Sequence, residues 1–285
     1  MASAIVDTHT HVISTDTARF PLAPIGGKQS DWSATRPVGH AGLIAAMDAA
    51  GVAQCVVVQA STAYGHDNTY LAEAIALYPR RLTGVFSVDV LAPDATAMIR
   101  HWAGRGLTGF RLFTTGTTMP GQAGWLDAEA SFPAWALAQE MGLPICLQMT
   151  AKGIPALRNM LDRFPGVPVV LDHLARPDLS DGPPYARAAS LFELAAYPQV
   201  NLKLTSRALD LAAEGASTSA ALLAALIPAF GAGRILWGSN FPAAEGSLSD
   251  LVAHTRSALA SLSTEDQAMI LGGTARRLYP ALGEA

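Results

Sequence analysis

Short apolar segments alternate with helix-like segments along the whole chain, and this alternation limits the possible folds more than any other feature. The run 54–60 is apolar on both faces, as in strands of parallel sheets covered on both sides. Strict alternation predicts a parallel sheet, and eight units fit one (β/α)8 barrel, a TIM barrel, spanning residues 1–285. The predicted strands are 5–11, 54–60, 82–88, 108–113, 144–149, 167–173, 200–205 and 234–238.

An open, doubly wound sheet is the competing architecture. It would bind its ligand at one switch point, which usually carries a glycine-rich phosphate turn. No GxGxxG motif or P-loop follows any predicted strand, and no composition break marks a linker. The sequence therefore favours a single closed barrel.

The composition of the chain limits the classes of binding partner that it can have. Half of the residues are hydrophobic, 15% are charged, and the formal net charge is −4 without a basic run. This balance argues against nucleic acid and anionic membranes as partners. No apolar stretch reaches the ~18 residues of a membrane span, and no signal peptide is recognisable. Cys55 and Cys146 lie in apolar runs and are expected to be buried thiols in a reducing compartment, so we expect a cytoplasmic protein. We expect a monomer or homodimer.

Polar side chains concentrate where the predicted strands end, which is where (β/α)8 enzymes carry their chemistry. His9 and His11 are two residues apart, so they project from the same face of the first strand. The long polar loop 14–38 follows them, and loops of this length are usually functional or disordered. Polar residues at the other strand ends are Gln59, Ser61, Arg111, Gln148, Asp172, His173, Arg176, Lys203, Ser206, Arg207, Ser239 and Asn240.

Three motifs in register carry a family resemblance. The segments DTHTH (7–11), LDHLARP (171–177) and LWGSNFP (236–242), supported by VQAS (58–61) and GHDN (65–68), resemble the amidohydrolase superfamily. The similarity is greatest to small lactonases of the 2-pyrone-4,6-dicarboxylate lactonase type, and it covers the whole chain.

The resemblance implies a hydrolase that opens the ester bond of a small carboxylated lactone in aromatic or sugar-acid catabolism. His9, His11 and His173 would surround the reacting carbonyl and stabilise its oxyanion. Arg111 and Arg176 would bind carboxylate, because a guanidinium matches it at two points. An internal salt bridge is the alternative role for Arg111. Gln59, Ser61 and Gln148 complete the expected substrate-binding set, and Asn240 the catalytic set.

Two departures from the family pattern concern the base and the metal. Asn240 stands where the family carries an aspartate, and an amide cannot take up a proton at neutral pH. The remaining candidates for the general base are His173, Asp172 and His66. Gln148 stands where metal-dependent relatives carry a histidine or lysine, which leaves His9 and His11 as ligands. Catalytic zinc usually has three protein ligands, so we expect no cofactor, with a weakly held divalent metal such as Zn as the alternative.

A third departure concerns the substrate. Thr114, Thr115, Thr117 and Thr118 occupy the region in which the pyrone lactonase carries a second arginine, which puts a dicarboxylate substrate in question. Two other functions stay open. One is a metal-dependent nonoxidative decarboxylase of the same superfamily, and the other is a binding barrel that has lost its catalytic base.

Overall fold

Eight parallel strands form one closed barrel, which confirms the predicted (β/α)8 fold. The structure is a computed structural model, and it describes residues 4–114 and 125–283. Neighbours in the barrel follow chain order from β1 to β8. The strands are β1 Ile5–Thr10, β2 Val52–Val58, β3 Leu82–Ser87, β4 Gly109–Phe113, β5 Ile145–Gln148, β6 Val169–Leu171, β7 Val200–Thr205 and β8 Ile235–Gly238.

The barrel closes between β1 and the end of β8. The backbone N–H of Asn240 donates to the carbonyl of His9 at 2.8 Å, and that of His11 donates to the carbonyl of Phe241 at 2.9 Å. Asp7 joins the same strands, because its Oδ1 accepts from the N–H groups of Ser239 and His9 at 2.9 and 3.0 Å. The first and last sequence motifs therefore meet along one seam.

Helices cover the outside of the barrel. The helical spacing of Leu43, Ile44, Met47 and Ala50 predicts a helix that Gly51 ends. Helix α2 (His40–Ala50) does end there, because Gly51 adopts φ 68° and its N–H caps the last turn. The predicted loop 14–38 contains the 3-10 turn Ile25–Gly27 and the short helix α1 (Asp31–Thr35). The helices are α1 Asp31–Thr35, α2 His40–Ala50, α3 Ser61–Tyr64, α4 Thr69–Leu77, α5 Ala95–Gly104, α6 Phe132–Met141, α7 Ile154–Arg163, α8 Ala189–Glu193, α9 Ser206–Ala213, α10 Ser219–Phe230, α11 Leu248–Leu259, α12 Thr264–Ala268 and α13 Thr274–Leu278.

The sequence pattern predicts helices over 186–196 and 264–279, and the structure interrupts both. The segment 186–196 contains only the short α8 between single 3-10 turns, and 264–279 is divided by the wider turn Met269–Gly273. The stretch 114–127 is rich in Thr and Gly, which predicts a loop, but residues 115–124 of it, with Thr115, Thr117 and Thr118, lie outside the described residues. Within the described chain, no helix has the length and apolar character needed to cross a membrane.

The barrel interior is apolar toward the amino ends of the strands. Valines of β1, β2, β3 and β6 pack there with Cys146 and Leu236. Tyr279 and Leu282, which follow α13, are part of the same cluster and fill the barrel at that end. Cys55 and Cys146 are both buried free thiols.

Candidate active site

Three histidines come together at the carboxyl ends of β1 and β6. The ring centroids of His9 and His11 are 5.0 Å apart, and those of His9 and His173 are 4.9 Å apart. His9 is fully buried, whereas His11 and His173 border the cavity above it. The middle imidazole therefore lies beneath the other two.

His173 and Arg176 are presented by an unusual turn after β6. Residues His173, Leu174, Ala175 and Arg176 have φ values of 54°, 57°, 59° and 48°, although none is glycine. A left-handed backbone costs such residues about 1–2 kcal/mol each. Burial of Leu174 and Ala175 offsets part of that cost. Strain of this kind clusters at functional sites, and here it places an imidazole and a guanidinium at one cavity.

A buried carboxylate anchors the floor of the site. Lys203 Nζ lies 2.8 Å from Asp172 Oδ1, Arg111 Nε donates to Oδ2 at 2.7 Å, and His9 Nδ1 lies 3.7 Å from Oδ1. Burial alone would raise the pKa of Asp172, but Lys203 and Arg111 outweigh it and lower the pKa to about 2. Arg111 thus forms the internal salt bridge that was the alternative to its substrate role, while it also borders the cavity.

The imidazoles are neutral at physiological pH. Burial, followed by the charge of Arg111, lowers the pKa of His11 to about 4. Burial lowers the pKa of His173 to about 3 despite the opposing charge of Asp172. Burial and the charge of Lys203 also lower the pKa of His9. An unperturbed histidine, with a pKa of ~6.5, would suit a general base at neutral pH, and burial takes the pKa of His173 away from that value.

Hydrogen bonds orient two of the rings. His11 Nδ1 donates to the carbonyl of Val58 at 2.8 Å, which leaves Nε2 as an acceptor or ligand. His173 Nδ1 and Thr205 Oγ1 are 2.8 Å apart. Of the other two candidate bases, one is held in ion pairs and the other lies away from the cavity. Asp172 is held by two cations, and His66 is hydrogen-bonded to Ser87 Oγ and does not border the cavity.

A cavity of about 790 Å³ opens at this end of the barrel. Of the nine residues predicted as catalytic or substrate-binding, eight border this cavity, and His9 is set back behind its wall. The loop 14–38 supplies residues that the sequence analysis did not single out, and the unusual length of that loop was the only indication of them. The lining residues are His11, Ile25, Gly26, Lys28, Gln29, Ser30, Asp31, Trp32, Gln59, Ala60, Ser61, Thr62, Arg111, Phe113, Gln148, His173, Arg176, Arg207, Asn240 and Ala243.

The cavity wall is cationic. Among residues 4–114 and 125–283, four cationic side chains border it, against the single carboxylate of Asp31: Lys28, Arg111, Arg176 and Arg207. Burial and the neighbouring charge of Arg207 lower the pKa of Arg176, and its Nε has no hydrogen-bond partner in the part of the chain that the structure describes. Uncompensated guanidinium groups of this kind favour an anionic ligand.

The ring nitrogens of the histidines are also possible ligands of a metal ion. Neither ring nitrogen of His9 has a hydrogen-bond partner among residues 4–114 and 125–283, and the neutral imidazoles of His9 and His11 are the form that binds zinc. The same residues contain no group of three or more His, Cys, Asp or Glu side chains arranged for a metal ion. The chain thus offers a two-imidazole ligand set.

Comparison with known proteins adds three similar chains. An L-fucono-1,5-lactonase of Burkholderia multivorans is 28% identical over 98% of this chain and 97% of its own length. A structure from Pseudomonas putida, named for 2-pyrone-4,6-dicarboxylic acid hydrolase, has a TM-score of 0.78 at 25% identity, with 99% of both chains covered. A Burkholderia multivorans amidohydrolase with bound zinc has a TM-score of 0.77 at 26% identity over 98% of this chain and 99% of its own.

The zinc-bound structure corrects the expectation of no cofactor. Proteins of this superfamily typically use a divalent metal, and a similar chain binds zinc. That expectation was based on the three strong protein ligands that catalytic zinc usually needs. It left out what the fold does to His9, which is buried, neutral and without a hydrogen-bond partner in the described chain.

The family model for amidohydrolases matches residues 6–281, almost the whole barrel, and includes all three motifs. The match confirms the resemblance seen in the sequence. This chain belongs to the amidohydrolase family.

Proposed function

We propose that this protein hydrolyses the ring ester of a small lactone that carries a carboxylate. Family membership and the lactone hydrolases among its relatives support a hydrolase acting on lactone esters. The observation that supports a carboxylate on the substrate is the cationic cavity wall beside the buried histidines. Both parts of the substrate, ester and anion, thus have a counterpart in one cavity.

Arg176 is the residue we assign to the substrate carboxylate. Its neighbours in the cavity are cationic, so an incoming anion relieves repulsion as well as forming an ion pair. Arg111 adds positive charge from below, with its Nε held by Asp172 at 2.7 Å. Gln59, Ser61 and Gln148 border the same cavity and can bind the uncharged oxygens of the ring.

His173 is the proton carrier in this mechanism. In the tautomer whose Nδ1–H donates to Thr205 Oγ1, the unprotonated Nε2 can take a proton from the attacking water and return it to the leaving ring oxygen. Asn240 can donate a hydrogen bond from its amide to the oxyanion. The low pKa of His173 makes it a weak base, although the charge of a bound anion raises that basicity.

His9 and His11 are the residues that would hold a divalent cation. Both are neutral, and the Nε2 of His11 is left available by the bond from Nδ1 to Val58. A divalent metal, when bound, polarises the ester carbonyl toward attack. The remaining steps need only the side chains named above.

A lactone panel tests the proposal. Hydrolysis would be followed by acid release with 2-pyrone-4,6-dicarboxylate, L-fucono-1,5-lactone and a simple uncharged six-membered lactone. We expect kcat/KM at least ten-fold higher for the carboxylated lactone than for the uncharged ones. Equal turnover of uncharged lactones would contradict the carboxylate requirement. Release of CO2 from a carboxylated substrate with its ring intact would favour the decarboxylase, and binding without turnover would favour the binding barrel.

A further inference from the structure

Trp32 is the large aromatic side chain that the loop 14–38 brings to the cavity. It lies on α1, borders the cavity and is only half-buried. Its ring centroid is 5.1 Å from that of His11, with the two planes inclined by 31°. A flat apolar surface therefore stands directly beside one of the histidines at which the lactone carbonyl is expected.

The loop is fastened to the barrel on both sides of this residue. Ser30 Oγ donates to Thr62 Oγ1 at 2.9 Å, and the N–H of Ala23 donates to the carbonyl of Ala63 at 2.8 Å, which ties the loop to α3. Arg36 donates to the carbonyl of Ala243 at 2.9 Å, beyond β8. Trp32 is thus held in place before a ligand arrives, which reduces the entropy cost of using it.

His11 does not depend on Trp32 for its own position. The bond from Nδ1 to the Val58 carbonyl fixes the imidazole, and the backbone bond to Phe241 fixes the main chain. The other aromatic residue of the cavity wall, Phe113, is only 4% exposed and has the Arg111 guanidinium 4.9 Å from its ring centroid. Among the described residues that border the cavity, Trp32 is therefore the aromatic surface that remains for a ligand.

We propose that Trp32 is a specificity-determining residue that packs against one face of the substrate ring. This inference rests on the proposed lactonase function and assigns a part of that site which the charged residues do not provide. Cations would bind the carboxylate of the ligand, whereas Trp32 would bind the ring that carries it. Aromatic surfaces add binding through stacking as well as through burial of apolar area.

Steady-state kinetics of Trp32 variants test the role. With the lactone of the panel that the wild type hydrolyses best, we expect Trp32→Ala to raise KM about 10- to 100-fold and to change kcat by less than about 3-fold. Trp32→Phe keeps a flat ring and should return KM to within about 5-fold of the wild type. Trp102→Phe is the matched control, because Trp102 lies on α5 outside the cavity.

Fluorescence gives a readout that needs no turnover. Titration with 2-pyrone-4,6-dicarboxylate, and separately with the ring-opened acid of L-fucono-1,5-lactone, should quench the wild type and Trp102→Phe. The quench should be lost in Trp32→Phe. A quench that survives in Trp32→Phe, or a fall in kcat at constant KM in Trp32→Ala, would overturn the proposal. Absence of turnover by the wild type on every lactone would instead overturn the lactonase function, while the titration would still decide the role of Trp32.

Discussion

Asn240 is the residue whose identity affects the chemistry of the site most directly. Its backbone has φ 63°, a conformation that asparagine and aspartate adopt more readily than other side chains. Its N–H donates to His9, and its side chain borders the cavity. An aspartate can therefore replace it without a change of fold, which makes the substitution a clean test of the missing carboxylate.

We expect Asn240→Asp to raise lactone hydrolysis by at least an order of magnitude. A carboxylate would take the proton from water more readily than His173, and a general base typically contributes ~10²–10⁴-fold. The measurement is kcat/KM of both purified proteins on the lactone panel. Asn240→Ser, which supplies a polar group without basicity, is the control. Abolished activity in Asn240→Asp would make the amide a necessary hydrogen-bond donor, whereas unchanged activity would show that the general base lies elsewhere.

Arg176→Ala should weaken substrate binding far more than folding. Loss of a buried charge-assisted pair costs ~2–5 kcal/mol, about 30- to several-thousand-fold in KM. The neighbouring Arg207 and Arg111 repel Arg176, so the melting temperature should stay unchanged or rise slightly. Arg100→Ala, which breaks the exposed pair with Glu140, is the control and should alter neither quantity appreciably. A large loss of stability with unchanged KM would assign Arg176 to the fold.

At the scale of elements, β1 and β8 approach too closely for a side chain at one position. A Cβ on Gly238 would lie 2.6 Å from the Cβ of His9 and 3.1 Å from its backbone nitrogen. Gly238→Ala should therefore push β1 away from β8 and displace His9. We expect a loss of ~1–3 kcal/mol in unfolding free energy, the usual cost of overpacking, with a larger fractional loss of activity.

Gly104→Ala is the matched control for that variant. Gly104 ends α5, and a Cβ there would meet nothing within 4 Å. The same chemical change should leave activity unaltered and stability equal or slightly higher. Denaturant titration and lactone hydrolysis would be measured on both variants. A Gly238→Ala protein as stable and active as the wild type would show that the seam can widen freely.

The elements were predictable from sequence where the cause is local. Strands buried on both faces produce apolar runs, and their ends are polar because the cavity opens there. The left-handed turn at 173–176 could not be predicted, because nothing in LDHLAR favours positive φ for four non-glycine residues. The pair of Arg111 with Asp172, 61 positions apart, and the low pKa of His173 depend on tertiary burial, which no local pattern reports.

At the scale of the whole molecule, the buried histidines make folding depend on pH. The pKa of His11 is lowered to about 4 and that of His173 to about 3, from ordinary values near 6.5. Between these values the unfolded chain binds protons that the folded chain does not, so stability falls as pH falls. Their contribution is complete above about pH 6.5 and is lost progressively toward pH 4 and 3.

Urea unfolding at a series of pH values measures this dependence. We expect the unfolding free energy to be flat from pH 8 to 7 and then to decline by roughly 1 kcal/mol per pH unit for each histidine. Asp172 adds a loss of the same sign only below pH 3.8, where its unfolded form becomes protonated. A free energy that stays constant down to pH 5 would mean that the histidines protonate freely in the folded state.

The seam between β1 and β8 has a consequence for the order of events at the ribosome. His9 and His11 emerge from the ribosome with the first strand. Apart from Asp7, the residues that hydrogen-bond with them along the seam follow β8 in the sequence. A nascent chain carries these histidines through seven further strands before they meet Ser239, Asn240 and Phe241. The active site is therefore completed only in one late step of synthesis. A chain released before β8 is made should have no activity.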